Sequence, residues 1–205
     1  MTFKKQNYII VKNLASKELS NFLFNYFSMK REVANTLFKE RYLSPYAEEW
    51  GMWTNPQVLN TYCNYGDVAM ETLLEKTRPD IEKHTGLELV PMYSFARLYK
   101  KGDVLRRHKD RFSCQVSVTI FLGGDSWPIY LESSGKLNKK GTEINLQQGD
   151  ALLYAGCKVE HWREEFQGEN CGQVFLHYNT PKVAQKNNSL FDSRPHLGLP
   201  ACFRK

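Results

Sequence analysis

From Leu87 to Asn179 the chain reads as short strands cut apart by turn signals, and this run limits the fold more than any other feature. Leu87 to Tyr99, Gln115 to Leu122, Pro128 to Glu132, Ala151 to Tyr154 and Gly172 to Asn179 have strand character. Between them lie Gly102-Asp103, Gly123-Gly124-Asp125, Ser133 to Gly141 and Gly149-Asp150, all turn chemistry. Gln115 to Leu122 alternates with period two. Val116, Val118, Ile120 and Leu122 take one face, and Gln115, Ser117, Thr119 and Phe121 the other.

The first part reads differently. Asn7 to Asn13 is a first strand. Ser16 caps a helix to about Phe38, with Leu19, Phe22, Leu23, Tyr26 and Phe27 as its apolar stripe. Arg41 to Pro56 is an irregular aromatic stretch holding Pro45, Trp50, Gly51 and Trp53. A second helix is expected from about Gln57 to Lys83, broken near Gly66 and ended by Gly86. Helices followed by a run of strands predict an α+β fold, a β-sandwich or barrel packed on helices. With 205 residues, one domain over 1–205 is expected: 1–86 mainly helical, 87–180 the β core and 181–205 a basic tail.

Composition removes several classes. No apolar run is long enough to span a bilayer, and Tyr8 to Val11 is too short for a signal-peptide core, so a cytoplasmic protein is expected. The five cysteines are scattered without a Cys-x-x-Cys pair, which argues for reduced thiols and against structural zinc. Net charge is +6, but Arg97 to Arg111 carries +5 and Lys182 to Lys205 carries +4, leaving −3 elsewhere. Such clusters attract anionic ligands, acidic substrates or nucleic acid; the plainer alternative is a solvated strand and loop.

Three residues have metal chemistry. His108 and Asp110 are two apart, so on an extended chain both side chains leave from one face. His161 follows 51 residues later, just after the strand Ala151 to Tyr154. Two imidazoles and one carboxylate suit Fe(II) and leave three positions open, two for a chelating 2-oxo acid and one for dioxygen.

The stretch Tyr99-Lys-Lys-Gly-Asp-Val-Leu-Arg-Arg-His108-Lys-Asp110-Arg resembles the core motif of 2-oxoglutarate- and Fe(II)-dependent dioxygenases of the prolyl 4-hydroxylase-like type. Val118-Thr-Ile-Phe-Leu122 and Gly149-Asp-Ala-Leu-Leu-Tyr…His161 continue the resemblance in order. It covers residues 87 to 180 well and the first half loosely. It implies a double-stranded β-helix (jelly-roll) with iron in its mouth, held by His108, Asp110 and His161. It also implies 2-oxoglutarate as cosubstrate, contacted by Tyr99, with ascorbate as a further reductant. The implied activity is hydroxylation of a peptide (prolyl or other) or small-molecule substrate, releasing succinate and carbon dioxide.

One departure stands out. Members of this type usually carry Lys or Arg about ten residues after the second histidine, to pair with the far carboxylate of 2-oxoglutarate. Asn170 and Cys171 stand there instead. Arg163 is the expected replacement, because an extended chain that points His161 inward turns Trp162 outward and Arg163 inward again, about 6–7 Å further on. Arg97 and His177 are the rival anchors, and surface pairing of Arg163 with Glu164 or Glu165 is the ordinary alternative. His177 can line the cavity or be a satisfied structural histidine. His84 and His196 read as solvated, and Trp127 and Trp162 as core.

The departure keeps a catalytically silent jelly-roll binding module open. The basic cluster keeps open an oxidative nucleic-acid demethylase, although only Tyr99 and Phe112 offer stacking aromatics there. Arg41 to Pro56 and the tail after Pro181 are the segments expected to close over a substrate.

Overall fold

The structure, a computed structural model, describes residues 2–44, 46–137 and 139–205. Met1, Pro45 of the aromatic stretch and Asn138 of the Ser133 to Gly141 turn lie outside the described residues. The elements run α1 (Phe3–Gln6), β1 (Tyr8–Val11), α2 (Lys17–Lys39), a 3-10 turn (Glu48–Trp50), β2 (Tyr62–Tyr65), α3 (Val68–Thr85), β3 (Val90–Lys100), β4 (Leu105–His108) and β5 (Val116–Gly124). They continue with β6 (Ile129–Glu132), β7 (Thr142–Ile144), β8 (Ala151–Tyr154), β9 (Glu160–Arg163), β10 (Asn170–Asn179) and α4 (Pro181–Lys186).

The strands form a six-stranded sheet, β1-β8-β5-β10-β3-β2, and a four-stranded sheet, β4-β9-β6-β7, with antiparallel pairing throughout. Together they make a double-stranded β-helix with helices packed on the larger sheet, as expected. β1 and β2 come from the first 86 residues, so that part supplies both edges of the large sheet as well as α2 and α3. β5 is buried on both faces. Its Val116, Val118, Ile120 face joins α2 and α3 in the main core, and its Ser117, Thr119, Phe121 face lines the inside of the β-helix.

Ser16 caps α2, its Oγ accepting from Leu19 N at 3.1 Å. Leu23 and Phe27 are buried, but Phe22, expected in the same stripe, is 64% exposed. One residue rotates a helix by about 100°, which carries Phe22 off the face that Leu23 and Phe27 share. Phe24 of the same helix lies against Gly172 and Gly123, where a Cβ on either strand would crowd its ring. These glycines let α2 settle onto β5 and β10.

The second helix differs from expectation. Residues 57–67 are not helical: Tyr62–Tyr65 pair with β3 as an edge strand, in keeping with their aromatic, β-favouring composition. Gly66 turns with φ 71°, and Asp67 then caps α3 by accepting from Ala69 N and Met70 N. Gly86 ends it in the left-handed conformation.

Both expected closing segments are largely fixed elsewhere. Trp53 packs on Phe38 and Tyr62, and Met52 bridges to Cys63, so only Asn55, Pro56 and the following Gln57 reach the central cavity. In the tail, Asp192 joins Arg111 at 2.6 Å and Tyr65 at 2.6 Å, and Arg194 joins Glu71 at 2.7 Å. No tail residue is among those lining that cavity. Among the described residues no helix is long and apolar enough to cross a membrane.

Candidate metal centre

β4 and β9 pair so that His108 faces His161 directly, which closes the 53-residue gap between them in sequence. Their ring centroids are 4.2 Å apart. Asp110 lies just past the end of β4, and its backbone N–H donates to Gly156 O at 3.0 Å. Asp110 Oδ1 sits 3.7 Å from His108 Nε2 and 3.5 Å from His161 Nε2, and the three candidate ligand atoms lie within 4.8 Å of one another. Metal bonds of about 2.0–2.2 Å to imidazole and carboxylate let one ion bridge atoms about 4 Å apart. The structure thus brings together the three residues that the spacing singled out.

Supporting contacts aim these ligands. His108 Nδ1 lies 2.7 Å from Arg106 O; donation there leaves the Nε2 lone pair facing the site. Gln57 Nε2 meets that lone pair at 3.0 Å. Ser117 Oγ donates to Asp110 Oδ2 at 2.6 Å and lies 3.1 Å from His177 Nδ1. Burial alone pushes the Asp110 carboxyl up. The His161 imidazole, the His177 ring and the Ser117 hydroxyl outweigh that and hold it well below the usual carboxylate range. His108 is shifted down, first by burial and then by the neighbouring His161. Gly156 is required here, since a Cβ would collide with Ser117 Oγ and Asp110 Oδ2.

The triad opens on a cavity of about 270 Å³, walled by Tyr93, Phe95, Tyr99, Tyr154, Phe175 and His177, with Asn55 and Gln57 on the loop side. His177 is 5% exposed and stacks on Tyr93 at 4.4 Å. Burial lowers its pKa to about 4. His84 and His196 are exposed, as expected.

Arg163 leaves β9 inward, two residues beyond His161, and is 1% exposed. Trp162 between them turns the other way, stacking on Tyr130 and under Arg107. Glu164 takes the Trp162 indole N–H instead of Arg163, so the surface pairing is not formed. Arg163 donates to Trp127 O, while its Nε and second Nη find no partner. Burial presses its pKa down, and Cys171, Tyr99 and Tyr154 lie close enough to counter this. The buried Tyr99 hydroxyl is also unpartnered and lies near both Arg163 and Arg97. Cys171, at the position where the resemblance implies a basic residue, is therefore a neighbour of the Arg163 guanidinium.

Arg97 is fully buried, with its guanidinium over the Phe95 and Tyr99 rings. It donates to Gln57 Oε1 at 3.0 Å and Asn55 Oδ1 at 2.7 Å, leaving Nε without a partner. The cluster Arg97 to Arg111 is thus not simply solvated; Arg97 is interior and Arg111 is tied to Asp192. Ser117, Tyr154, Gln57, Asn55 and Gly156 were not singled out from sequence. Only Ser117 had a signal, its place on the strand face shared with Thr119 and Phe121.

The fold is that of 2-oxoglutarate oxygenase structures. A Pseudomonas putida prolyl-4-hydroxylase superposes with a TM-score of 0.59 at 16% identity, covering 87% of this chain and 95% of the other. HygX from Streptomyces hygroscopicus, solved with nickel, 2-oxoglutarate and hygromycin B, gives a TM-score of 0.60 at 14% identity, covering 87% and 85%. A Trichoplax adhaerens prolyl hydroxylase, in complex with a hypoxia inducible factor oxygen degradation domain peptide fragment, gives 0.59 at 12% identity, covering 90% and 88%. No protein-family model and no curated protein matches the sequence.

Proposed function

We propose that this chain is an Fe(II)- and 2-oxoglutarate-dependent dioxygenase that hydroxylates its substrate. The observation that carries the reading is the His108, Asp110, His161 triad at the mouth of a double-stranded β-helix, with an anion-seeking arginine two residues from the last ligand. The donor set suits iron: two imidazoles and a carboxylate on one side of an ion leave positions open for a chelating cosubstrate. Bound iron would supply activation of dioxygen, the oxidant: one oxygen atom would go to the substrate as hydroxyl and the other to 2-oxoglutarate, released as succinate and carbon dioxide.

The chain's own residues bind, orient and exclude water. His108, Asp110 and His161 hold the ion, and Ser117 keeps Asp110 turned toward it. Arg163 and Tyr99 hold the far carboxylate of the cosubstrate. The free guanidinium N–H groups and the free phenol O–H are buried donors that such an anion satisfies, and a bidentate carboxylate is the natural partner of a fork of N–H donors. Phe95, Phe175 and Leu105 keep the chamber dry.

The substrate is a peptide or a small molecule. The Trichoplax enzyme was solved with a peptide and HygX with hygromycin B, and the cavity and its adjoining groove suit either class. A nucleic acid is the weaker reading, because few exposed aromatics accompany the basic residues near the mouth. The test is succinate release from 2-oxoglutarate by purified, iron-loaded protein. Succinate above the triad-variant background supports an enzyme; none, with normal ion and cosubstrate binding, supports a silent binding module.

A further inference from the structure

Among the described residues three arginines are buried: Arg97, Arg163 and Arg194. Arg194 meets Glu71 at 2.7 Å. Half-buried cations are matched too, Lys30 by Asp67, Arg107 by Glu160 and Arg111 by Asp192. Arg97 and Arg163 alone among the buried arginines have no carboxylate. A guanidinium keeps its charge at any ordinary pH, and a buried charge without a counter-charge is costly.

On the reading proposed above, the formal charges of the loaded site can be followed. A dipositive ion is cancelled by the dianion of 2-oxoglutarate, and Asp110 is cancelled by Arg163. The Arg97 charge is left over. Around it lie the rings of Phe95 and Tyr99, the Cys63 thiol that burial keeps neutral, and two neutral amides, Asn55 and Gln57. From this imbalance we infer that the substrate carries an anionic group, a carboxylate, which Arg97 receives.

Access follows from Gln57. Its amide nitrogen sits on His108 Nε2 at 3.0 Å while its oxygen accepts from Arg97 at 3.0 Å. An ion that takes the His108 lone pair removes the partner of that amide nitrogen and loosens the cover over Arg97. Asn55 and Gln57, not Arg97 itself, line the cavity, so an anion reaches the guanidinium by displacing the two amides. Outside, Arg106 and Lys101, the latter met by Glu169 at 3.8 Å, line a groove with the paired Lys100 and Asp103 that runs past Gln57 to His108, and the net positive charge there draws anions toward this entrance.

The experiment uses ¹⁵N-labelled full-length protein loaded with Zn(II), which does no redox chemistry, and 2-oxoglutarate. Acetate is titrated in while the Arg97 Nε–H resonance, assigned by its absence in Arg97→Gln, is followed. The inference predicts a saturable shift with acetate and none with acetamide; in the variants, acetate affinity is read from the Asn55 and Gln57 side-chain amide resonances and is on the order of tenfold weaker in Arg97→Gln, the scale of one hydrogen-bonded charge. Arg97→Lys, which keeps the charge, retains acetate binding, and 2-oxoglutarate affinity is unchanged in both variants. A resonance that acetate leaves unmoved overturns the inference. So does collapse of 2-oxoglutarate affinity in Arg97→Gln, which gives Arg97 to the cosubstrate. Failure of Zn(II) to bind overturns the dioxygenase reading instead, and the acetate titration of the metal-free protein still reads Arg97.

Discussion

Ser117 Oγ donates to Asp110 Oδ2 at 2.6 Å, from β5 in the large sheet to the loop that follows β4 in the small one. That contact crosses the interior of the β-helix and leaves Oδ1 to face both histidines. Groups that orient a metal ligand typically matter by about 10–100-fold in affinity. Ser117→Ala is therefore expected to weaken metal binding by a factor in that range while the protein stays folded. Calorimetric titration with Zn(II) and a thermal melt check the two halves; unchanged affinity rejects an orienting role.

Arg163→Gln removes the cation but keeps much of the side chain's bulk. Hydrogen bonds to charged groups are worth about 1.5–3 kcal/mol, which is roughly 10- to 150-fold in affinity. The dissociation constant of 2-oxoglutarate for the Zn(II)-loaded variant should rise on that scale, with Zn(II) affinity unaltered. Normal cosubstrate affinity in this variant removes Arg163 as the anchor.

His177 makes stability depend on pH. Its folded pKa is lowered to about 4 by burial, against an unfolded value of about 6.5. Between these values the unfolded chain takes up a proton that the folded protein refuses. Its contribution is therefore fully present above pH ~6.5 and is lost progressively as pH falls toward ~4, by up to roughly 3 kcal/mol. Urea unfolding of metal-free protein at pH 7 and pH 4.5 measures this, and His177→Gln should flatten the difference. Parallel pH profiles for the two proteins contradict the assignment.

Glu71 and Arg194 form a buried pair between α3 and the tail, with side-chain exposures of 2% and 0%. Breaking such a pair from one side leaves an uncompensated charge and costs about 3–5 kcal/mol. Glu71→Gln should lose stability of that order in chemical denaturation, without affecting Zn(II) affinity. A loss below about 1 kcal/mol, the scale of an exposed pair, shows that the tail is not anchored there.

The β core was legible because β3, β5, β8 and β10 are buried strands with turn residues at their ends, and the two-residue spacing of His108 and Asp110 survives the end of β4. The inward turn of Arg163 followed from the same alternation. β4 (Leu-Arg-Arg-His), β7 (Thr-Glu-Ile) and β9 (Glu-His-Trp-Arg) are short and carry charged residues in place of an apolar run like that of Ala151–Tyr154, and the pairing of β4 with β9 is what brings His108 opposite His161. β2 reads as part of a helix in the sequence because the partner of Tyr62–Tyr65 is a strand 30 or more residues later, which no local pattern encodes. Gln57, Asn55 and Gly156 have no pattern of their own. They matter only because a loop and a turn bring them against Arg97, His108 and Asp110.

The central claim is one metal site built by His108, Asp110 and His161. The most direct measurement is anaerobic equilibrium titration of the metal-free protein with Fe(II), alongside His108→Ala, Asp110→Ala and His161→Ala. One equivalent should bind to the parent protein, and each substitution should abolish that binding or weaken it severely while leaving the protein folded. Fe(II) affinity unchanged across all three variants would contradict the account.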